Sequence, residues 1–399
     1  MRWIFPRVES LSLTIIVMAG CTIFPACRKQ SVSARAIPAP RTYVDEALCL
    51  NCHRETGKTY HSSAHALTSS LPSDDSIKGH FEPGLNRMST SDPSLSFVMT
   101  RAGNEYFETA IIATPAKTVE RRERIDIVVG SGRKGQTYLY WDQDRLFELP
   151  VSCWIQTREW MNSPGYPDGT ANFSRGTSDR CLECHTTSFV AQSPPRNRFK
   201  PDSLVLGISC QKCHGPGSAH IAQTQRGAVS ITGSGIVNPA KLSRERQMDL
   251  CSLCHAGVGQ PKAAPLSYTA GDVLAKYLVV AKAAPRSRID PHGSQVQTLT
   301  QSKCYRQSAT LTCLTCHDVH QQNRSAQSYA KNCLTCHQIQ ACGKFFTLGE
   351  AIRGKCIDCH MPLEKTAKII MRMGGQLHQP EVRTHHIGIY STATPSDAQ

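Results

Sequence analysis

The chain has 399 residues, 19 of them cysteines, and a formal charge of 45 − 31 = +14. Hydrophobic residues make up 40% of it, and only about 35% without the cysteines, which is below the apolar share of an ordinary globular domain. The mean hydropathy of −0.33 and the lack of any apolar run of roughly 18 residues exclude a polytopic membrane protein. The composition therefore indicates that something other than side chains fills part of the interior.

Residues 1–20 have the pattern of a signal peptide, with two arginines before a short apolar stretch. The segment ends in Met-Ala-Gly-Cys, which resembles a lipobox, so we expect Cys21 to be lipidated and to become the first mature residue. An ordinary signal peptide cut near Ala26 is the alternative. Residues 21–41 would then be a flexible tether, and the protein would lie on the periplasmic side of a bacterial membrane, either lipid-anchored or soluble.

The sequence Cys-x-x-Cys-His occurs seven times, far above chance. Two cysteines with this spacing can each form a thioether with a haem vinyl group, and the histidine that follows can bind the iron. Structural zinc sites and iron–sulfur clusters do not require that histidine, and a thioredoxin-like motif occurs once. The copies, numbered 1 to 7 with their haems, are Cys49/Cys52/His53, Cys181/Cys184/His185, Cys210/Cys213/His214, Cys251/Cys254/His255, Cys313/Cys316/His317, Cys333/Cys336/His337 and Cys356/Cys359/His360.

Seven covalently attached c-type haems account for both peculiarities of the composition. Their porphyrins supply the missing apolar bulk. Their propionates carry about −14 when ionised, which offsets the +14 of the polypeptide, so the lysines and arginines are better interpreted as propionate partners than as a nucleic-acid surface.

Nine of the 16 histidines lie outside the motifs, enough to give every iron a second histidine. We expect His65, His220, His292, His320 and His385 to be sixth ligands, with His61, His80, His378 and His386 as reserve candidates. His320, three residues after its proximal neighbour, should serve a different haem. Haem 4 has no spare histidine between His220 and His292, so it is the first candidate for an open iron.

The first two proximal histidines are 185 − 53 = 132 residues apart, and the gap is rich in β-forming residues. Strands are predicted at 96–100, 105–114, 125–130, 135–141 and 145–150. The expected organisation is a first haem segment at 42–80, a small antiparallel β insertion at 81–170, a six-haem domain at 171–392 and a tail at 393–399. The fold class expected is a mainly α and loop multihaem cytochrome c, with helices leading into motif 4 at 244–251 and motif 7 at 350–356.

Three further cysteines lie between or beside the motifs. Cys304 and Cys342 flank the pair of motifs 5 and 6, and in an oxidising compartment a disulfide between them is a reasonable expectation. Cys153 would then be a buried free thiol.

With these residues in hand, the chain resembles the periplasmic multihaem c cytochromes related to the tetrahaem electron acceptor of hydroxylamine oxidoreductase. The resemblance covers about residues 49–390. It implies closely stacked bis-histidine haems, distal roles for His65, His220, His292, His320 and His385, and a Cys304–Cys342 bridge. The similar elements include Gly130-Ser-Gly132, Ser163-Pro-Gly-Tyr166, Cys213-His-Gly-Pro-Gly217, Ser302-Lys-Cys304, Cys316-His-Asp-Val-His320, Cys356-Ile-Asp-Cys-His-Met-Pro362 and Arg383-Thr-His385.

These features favour a heptahaem electron carrier between periplasmic or membrane redox partners, working by one-electron exchange rather than by catalysis. The alternative is an oxidoreductase acting on a small nitrogen or sulfur oxyanion at one open haem. Cytochrome c nitrite reductases typically mark such a haem with Cys-x-x-Cys-Lys, and no copy here ends in lysine.

Overall fold

The computed structural model describes residues 42–192, 197–227, 235–280, 295–321, 325–366, 369–373 and 376–390. The expected signal peptide, the tether, the lipidation site Cys21 and the candidate ligand His292 lie outside these ranges.

Two antiparallel sheets fill most of the long gap between motifs 1 and 2. A five-stranded sheet has the order β1-β6-β7-β8-β9, and a four-stranded sheet has the order β2-β3-β4-β5. The strands are β1 (Ser69–Ser70), β2 (Arg87–Ser89), β3 (Leu95–Ala102), β4 (Glu105–Ala113), β5 (Thr118–Arg124), β6 (Ile127–Val129), β7 (Gly135–Asp142), β8 (Arg145–Trp154) and β9 (Glu159–Asn162).

The sheets form where the sequence alternates. In β3, buried and part-buried residues alternate along the strand, so that Phe97 and Met99 point inward and are fully buried. They pack with Tyr138, Leu149 and Val151 in one hydrophobic core. All five predicted strands of this region are confirmed, although the insertion is larger than a single small sheet.

Two carboxyl groups are buried in this β region. Glu108 is fully buried, and its Oε1 accepts a hydrogen bond from the Val151 amide. Burial raises the pKa of Glu108 well above its ordinary value. Burial likewise raises the pKa of Glu148 to about 7, although the Arg175 guanidinium, 3.2 Å away, opposes the shift.

The Glu148→Gln variant tests the cost of this burial. Because the folded state holds the Glu148 proton more tightly than the unfolded chain does, its contribution to stability is present at low pH and is lost as pH rises from about 4.5 to about 7. The native holoprotein should lose up to about 3 kcal/mol over this range from this group, and the variant should not. Denaturant unfolding at pH 5 and pH 8 measures the difference, with exposed Glu120→Gln as the matched control. Equal pH dependence in all three proteins would contradict the assignment.

The helices of the described residues are short and cluster around the motifs. Of the two predicted helices, the one before motif 4 is confirmed, whereas the segment before motif 7 is a 3-10 helix at Gly349–Gly354. The α-helices are α1 (Ala47–Leu50), α2 (Arg54–Tyr60), α3 (Asp179–His185), α4 (Cys210–His214), α5 (Ser218–Gln225), α6 (Arg244–His255), α7 (Gln295–Gln301), α8 (Lys303–Gln307), α9 (Ala326–Cys333), α10 (Phe345–Leu348) and α11 (Cys356–His360). Further 3-10 turns lie at Pro201–Ser203, Pro239–Lys241, Leu274–Lys276, Cys313–Thr315 and Ile339–Ala341.

The expectation of a mainly α and loop fold is wrong. The chain is about 29% helix and 25% strand, and the haem-bearing part also contains two-stranded antiparallel ladders. An isolated helix shorter than about 12–15 residues is marginal in water, so the short connections between motifs satisfy their backbone groups in ladders as well as in turns. The ladders pair β10 (Thr186–Ser188) with β11 (Val205–Leu206), β12 (Gln260–Pro261) with β13 (Leu278–Val279), β14 (Leu363–Lys365) with β17 (Glu381–Arg383), and β15 (Met371–Met373) with β16 (Gln376–His378).

Within the described ranges, no helix is both long and apolar enough to cross a membrane.

Candidate haem sites

Each motif is built on one tight helical turn. In motifs 1, 5 and 6 the amide of the histidine donates a hydrogen bond of 2.9–3.0 Å to the carbonyl of the first cysteine. This turn brings both thiols and the imidazole together, which is the arrangement that two thioether bonds and a proximal iron ligand require. The described residues therefore present all seven motifs in a form that fits covalent haem attachment.

The motif cysteines differ in how far the protein encloses them. Cys52, predicted to form a thioether with haem 1, is exposed, and so are Cys181 of motif 2 and Cys336 of motif 6, whereas the other motif cysteines are part-buried. Cys52 lies just after α1, with exposed residues on both sides, so the polypeptide does not enclose its thiol. Its thioether role therefore stays a prediction from the motif. A haem attached there would turn that edge towards solvent, while the part-buried Cys49 would hold the other edge against the protein.

Four non-motif histidines each lie opposite one motif histidine. An imidazole with a metal–nitrogen bond of about 2 Å has its ring centroid about 3 Å from the metal, so two axial rings should lie about 6 Å apart. The observed centroid distances are 6.3 Å for His53–His220, 6.0 Å for His65–His255, 6.0 Å for His214–His320 and 6.2 Å for His317–His385.

These four pairs belong to haems 1, 4, 3 and 5 in that order. The His65 ring reaches haem 4 from 255 − 65 = 190 residues earlier in the chain, so the structure does not support haem 4 as the first candidate for an open iron. His320 lies opposite His214 and not opposite its own neighbour His317, as expected from its spacing.

Backbone and hydroxyl groups hold several of these imidazoles by the nitrogen that would not bind iron. The Nδ1–H of His214 donates to the Val237 carbonyl at 2.8 Å, and that of His360 donates to Gly388 at 2.7 Å. His385 Nδ1 is similarly placed 3.2 Å from the Arg383 carbonyl, and His185 Nδ1 lies 2.9 Å from the Thr68 hydroxyl. A hydrogen bond at Nδ1 fixes the tautomer and leaves Nε2 available for a metal.

Burial also keeps two of these rings neutral. It lowers the pKa of His214, with the neighbouring rings of His320, His53 and His220 acting in the same direction. Burial likewise lowers the pKa of His385. Neutral imidazole is the form that binds a metal ion.

The four reserve candidates are placed away from these ring pairs. His61 Nε2 lies 3.8 Å from a Glu46 oxygen, and His80 Nδ1 lies 3.3 Å from Glu82. The His378 ring lies 6.4 Å from Trp154, with its Nε2 buried and without a hydrogen-bond partner. His386 packs against Tyr390.

Thiols of different motifs meet in pairs. Hydrogen-bond contacts join Cys49 of motif 1 to Cys210 of motif 3, Cys184 of motif 2 to Cys254 of motif 4, Cys251 of motif 4 to Cys313 of motif 5, and Cys333 of motif 6 to Cys356 of motif 7. Cys316 of motif 5 and Cys336 of motif 6 are close enough to interact electrostatically. Since each thiol marks a haem edge, neighbouring haems would approach edge to edge at these points.

Charged side chains that sequence reasoning missed hold the motifs together. Arg180 and Glu183 form a buried ion pair of 2.6 Å inside motif 2, and Arg180 also donates to the carbonyls of Leu253 and Val258 beside motif 4. A charge pair three residues apart that overlaps a haem motif is the sequence signal that could have found it. Removing one member of such a buried pair costs about 3–5 kcal/mol, so this pair is a strong clamp between motifs 2 and 4.

Gly207 positions the His65 segment. Its φ of +68° is left-handed, and a Cβ there would lie 2.1 Å from the Ala66 carbonyl oxygen. The adjacent amide of Ile208 donates to the His65 carbonyl at 3.0 Å. The close backbone contact is therefore part of what holds His65 opposite His255.

The Gly207→Ala variant should destabilise the holoprotein by about 2–4 kcal/mol and perturb the ligation of haem 4. The matched control is Gly103→Ala, where φ is also left-handed at +60° but nothing lies within 4 Å of the added Cβ. That control should cost only about 1 kcal/mol and leave the haem spectrum unchanged. Denaturant midpoints and the low-spin haem absorbance report both effects, and equal results for the two variants would contradict the assigned role.

The remaining cysteines are free thiols in the structure. Cys304 interacts electrostatically with Cys316 and Cys333, whereas Cys342 interacts with Cys359, so each lies beside a different motif. The expected Cys304–Cys342 disulfide is not formed in the structure. Cys153 is buried in the β core, as expected, and burial raises its thiol pKa to about 12.

A cavity of about 900 Å³ lies between α9 and motif 7. Its lining includes the basic side chains of Lys331, Arg353, Lys355 and Arg383 and the acidic side chains of Glu350 and Asp358. A volume at the upper end of the range for cofactor sites, with a basic excess, suits a porphyrin that carries propionates.

Comparison with known proteins places these motifs in a family context. Residues 165–215, which contain motifs 2 and 3, match the family model described as cytochrome c554 and c-prime. Cytochrome c-554 of Nitrosomonas europaea is 31% identical over 111 residues, which is 25% of this chain and 47% of that protein. The match thus spans about half the length of the curated relative. Among solved structures, the undecahaem cytochrome from the S-layer of Carboxydothermus ferrireducens is similar with a TM-score of 0.40 and 15% identity, over 90% of this chain and 53% of that one.

Proposed function

We propose that this chain, a multihaem c-type cytochrome, carries electrons along seven covalently bound haems, most of them held between two histidines. The observation that carries the proposal is the set of four histidine pairs with ring centroids 6.0–6.3 Å apart. Bound haem supplies one-electron exchange at iron, and bis-histidine ligation favours exchange over substrate binding.

The chain's own residues set the conditions for that exchange. The Nδ1 contacts of His185, His214, His360 and His385 orient the imidazoles and increase their basicity as ligands. Burial lowers the pKa of His214 and His385, which keeps these two rings in the form that ligates. No side chain has to move during a one-electron step, so little reorganisation opposes transfer.

The thiol contacts support an order for the haems. Motif 1 meets motif 3, motif 4 meets motif 5, and motif 6 meets motif 7. Motif 3 joins motifs 4 and 5, because Cys213 interacts electrostatically with Cys251, and the haem 3 ligand His320 lies three residues after His317 of motif 5. Motif 5 approaches motif 6 through Cys316 and Cys336. We propose a path 1-3-(4)-5-6-7, with haem 2 as a branch on haem 4.

The partners of this path would be other redox proteins in the periplasm or at the membrane. Export by the residue 1–20 signal and anchoring through a lipidated Cys21 would keep the chain beside membrane donors.

Two measurements on protein from a host that attaches c-type haem test the proposal. The intact mass should equal the mature polypeptide plus seven haems, and a lipid if Cys21 is modified. Electron paramagnetic resonance of the oxidised protein should show low-spin bis-histidine haems as the majority species. A polypeptide mass without haem, or a spectrum dominated by high-spin iron, would overturn it.

A further inference from the structure

We infer that at least one of the last two haems, 6 or 7, has no histidine as its sixth ligand and binds small exogenous haem ligands. The inference rests on the proposed seven-haem content, and it follows from an account of every histidine in the chain.

The account starts from 16 histidines. Seven are proximal, and four more are committed to haems 1, 3, 4 and 5 by the ring pairs, which leaves 16 − 7 − 4 = 5. The five are His61, His80, His292, His378 and His386. Only His292 lies outside the described residues, so the surroundings of the other four are known.

The proximal histidines of haems 6 and 7 have no second histidine opposite them in the described ranges. Whereas four other motif histidines each face such a ring at about 6 Å, His337 and His360 make no ring contact with any described histidine. His337 is exposed, and His360 is held at its back by the Gly388 carbonyl.

Two of the remaining histidines are tied to other parts of the molecule. His61 faces Glu46, whose other carboxylate oxygen accepts a hydrogen bond from the Cys210 amide of motif 3. The His80 carbonyl accepts a hydrogen bond of 2.8 Å from Trp160 in β9, which places His80 at the β region.

The other two lie near the carboxyl terminus but on the wrong side. A Cβ on Gly388 would lie 3.5 Å from the His386 ring, so His386 lies beside the residue that hydrogen-bonds the back of His360. A sixth ligand must approach from the opposite face of the haem. His378 packs instead against Trp154 at the end of β8.

His292 is therefore the one histidine left for haems 2, 6 and 7, and it can serve a single iron. Whichever iron it serves, haem 6 or haem 7 remains without a histidine. The cavity beside motif 7 has four basic and two acidic lining side chains, which favours anionic ligands such as cyanide or nitrite over cationic ones.

The test uses the full holoprotein, after its mass has confirmed seven haems. The oxidised protein should show a high-spin minority signal of one or two haems that added cyanide converts to low spin, and the reduced protein should bind carbon monoxide at the same stoichiometry. Seven low-spin haems that neither ligand affects would overturn the inference while leaving the electron-carrier proposal intact. A mass without haem would instead overturn the proposed function.

Variants assign the ligand-binding haem. Removing haem 6 (Cys333→Ala with Cys336→Ala) or haem 7 (Cys356→Ala with Cys359→Ala) should reduce or abolish the cyanide-sensitive signal in at least one of the two proteins. Persistence of the whole signal in both, with six haems by mass, would overturn the assignment.

Single substitutions that keep all haems provide matched controls. His320→Ala should add one high-spin haem, because it opens haem 3, whereas His61→Ala, His80→Ala, His378→Ala and His386→Ala should add none. An additional high-spin haem in any of the last four would show that the substituted histidine is a ligand, which contradicts the account above.

Discussion

Replacing His65 by alanine is expected to convert one haem of the oxidised protein from low spin to high spin and to raise its reduction potential by on the order of 100 mV. The His65 ring lies 6.0 Å from His255, and no other described histidine is in ring contact with either. Loss of an imidazole ligand destabilises ferric more than ferrous iron, which is why the potential rises. Electron paramagnetic resonance counts the converted haem, and a redox titration gives its potential.

His61→Ala is the matched control for this prediction. His61 is four residues earlier and its nearest charged partner is Glu46, so its removal should change neither the spin state nor the potentials. If His61→Ala opened a haem and His65→Ala did not, the pairing of His65 with His255 would be refuted.

Removing haem 5 by Cys313→Ala with Cys316→Ala should separate haems 6 and 7 electrically from the rest. In the described residues, motif 5 is where the motif 6 thiols approach the thiols of motifs 1 to 4. Electron tunnelling falls off exponentially with distance, so a missing haem slows transfer far more than it changes any equilibrium. The effect should be a delay and not a loss of reducible iron.

A protein film attached to an electrode near haem 1 measures this delay. The exposed Lys58 in α2, whose side chain is 63% accessible, can be replaced by cysteine for attachment. At fast scan rates the intact array should take up seven electrons, and the haem 5 variant only the four of haems 1 to 4, reaching 7 − 1 = 6 at slow scan rates.

The control removes haem 2 instead, by Cys181→Ala with Cys184→Ala. Haem 2 is a branch on haem 4 through the contact of Cys184 with Cys254, so this film should take up six electrons at every scan rate. An equal delay in both variants would contradict the proposed order, because it would mean that the loss of any haem disturbs the whole array.

Local sequence patterns predicted the local structure well. The Cys-x-x-Cys-His turns, the five strands between motifs 1 and 2 and helix α6 depend on residues that are neighbours in the chain. The same local reasoning failed for fold class, because it extended the helical turns of the motifs into segments that instead pair as short ladders. It also looked for the haem 4 ligand near motif 4, whereas His65 comes from the first haem segment.

Haem chemistry, the number of motifs and the supply of spare histidines follow from the sequence alone, because covalent attachment needs only five consecutive residues. Which histidine faces which, and which haems are neighbours, depends on contacts between distant segments, such as Gly207 against Ala66 and Arg180 against Leu253. Such contacts leave no periodic trace in the chain, since a backbone approach or a buried ion pair involves single residues. Only the tertiary structure could therefore move the search for an open iron from haem 4 to haems 6 and 7.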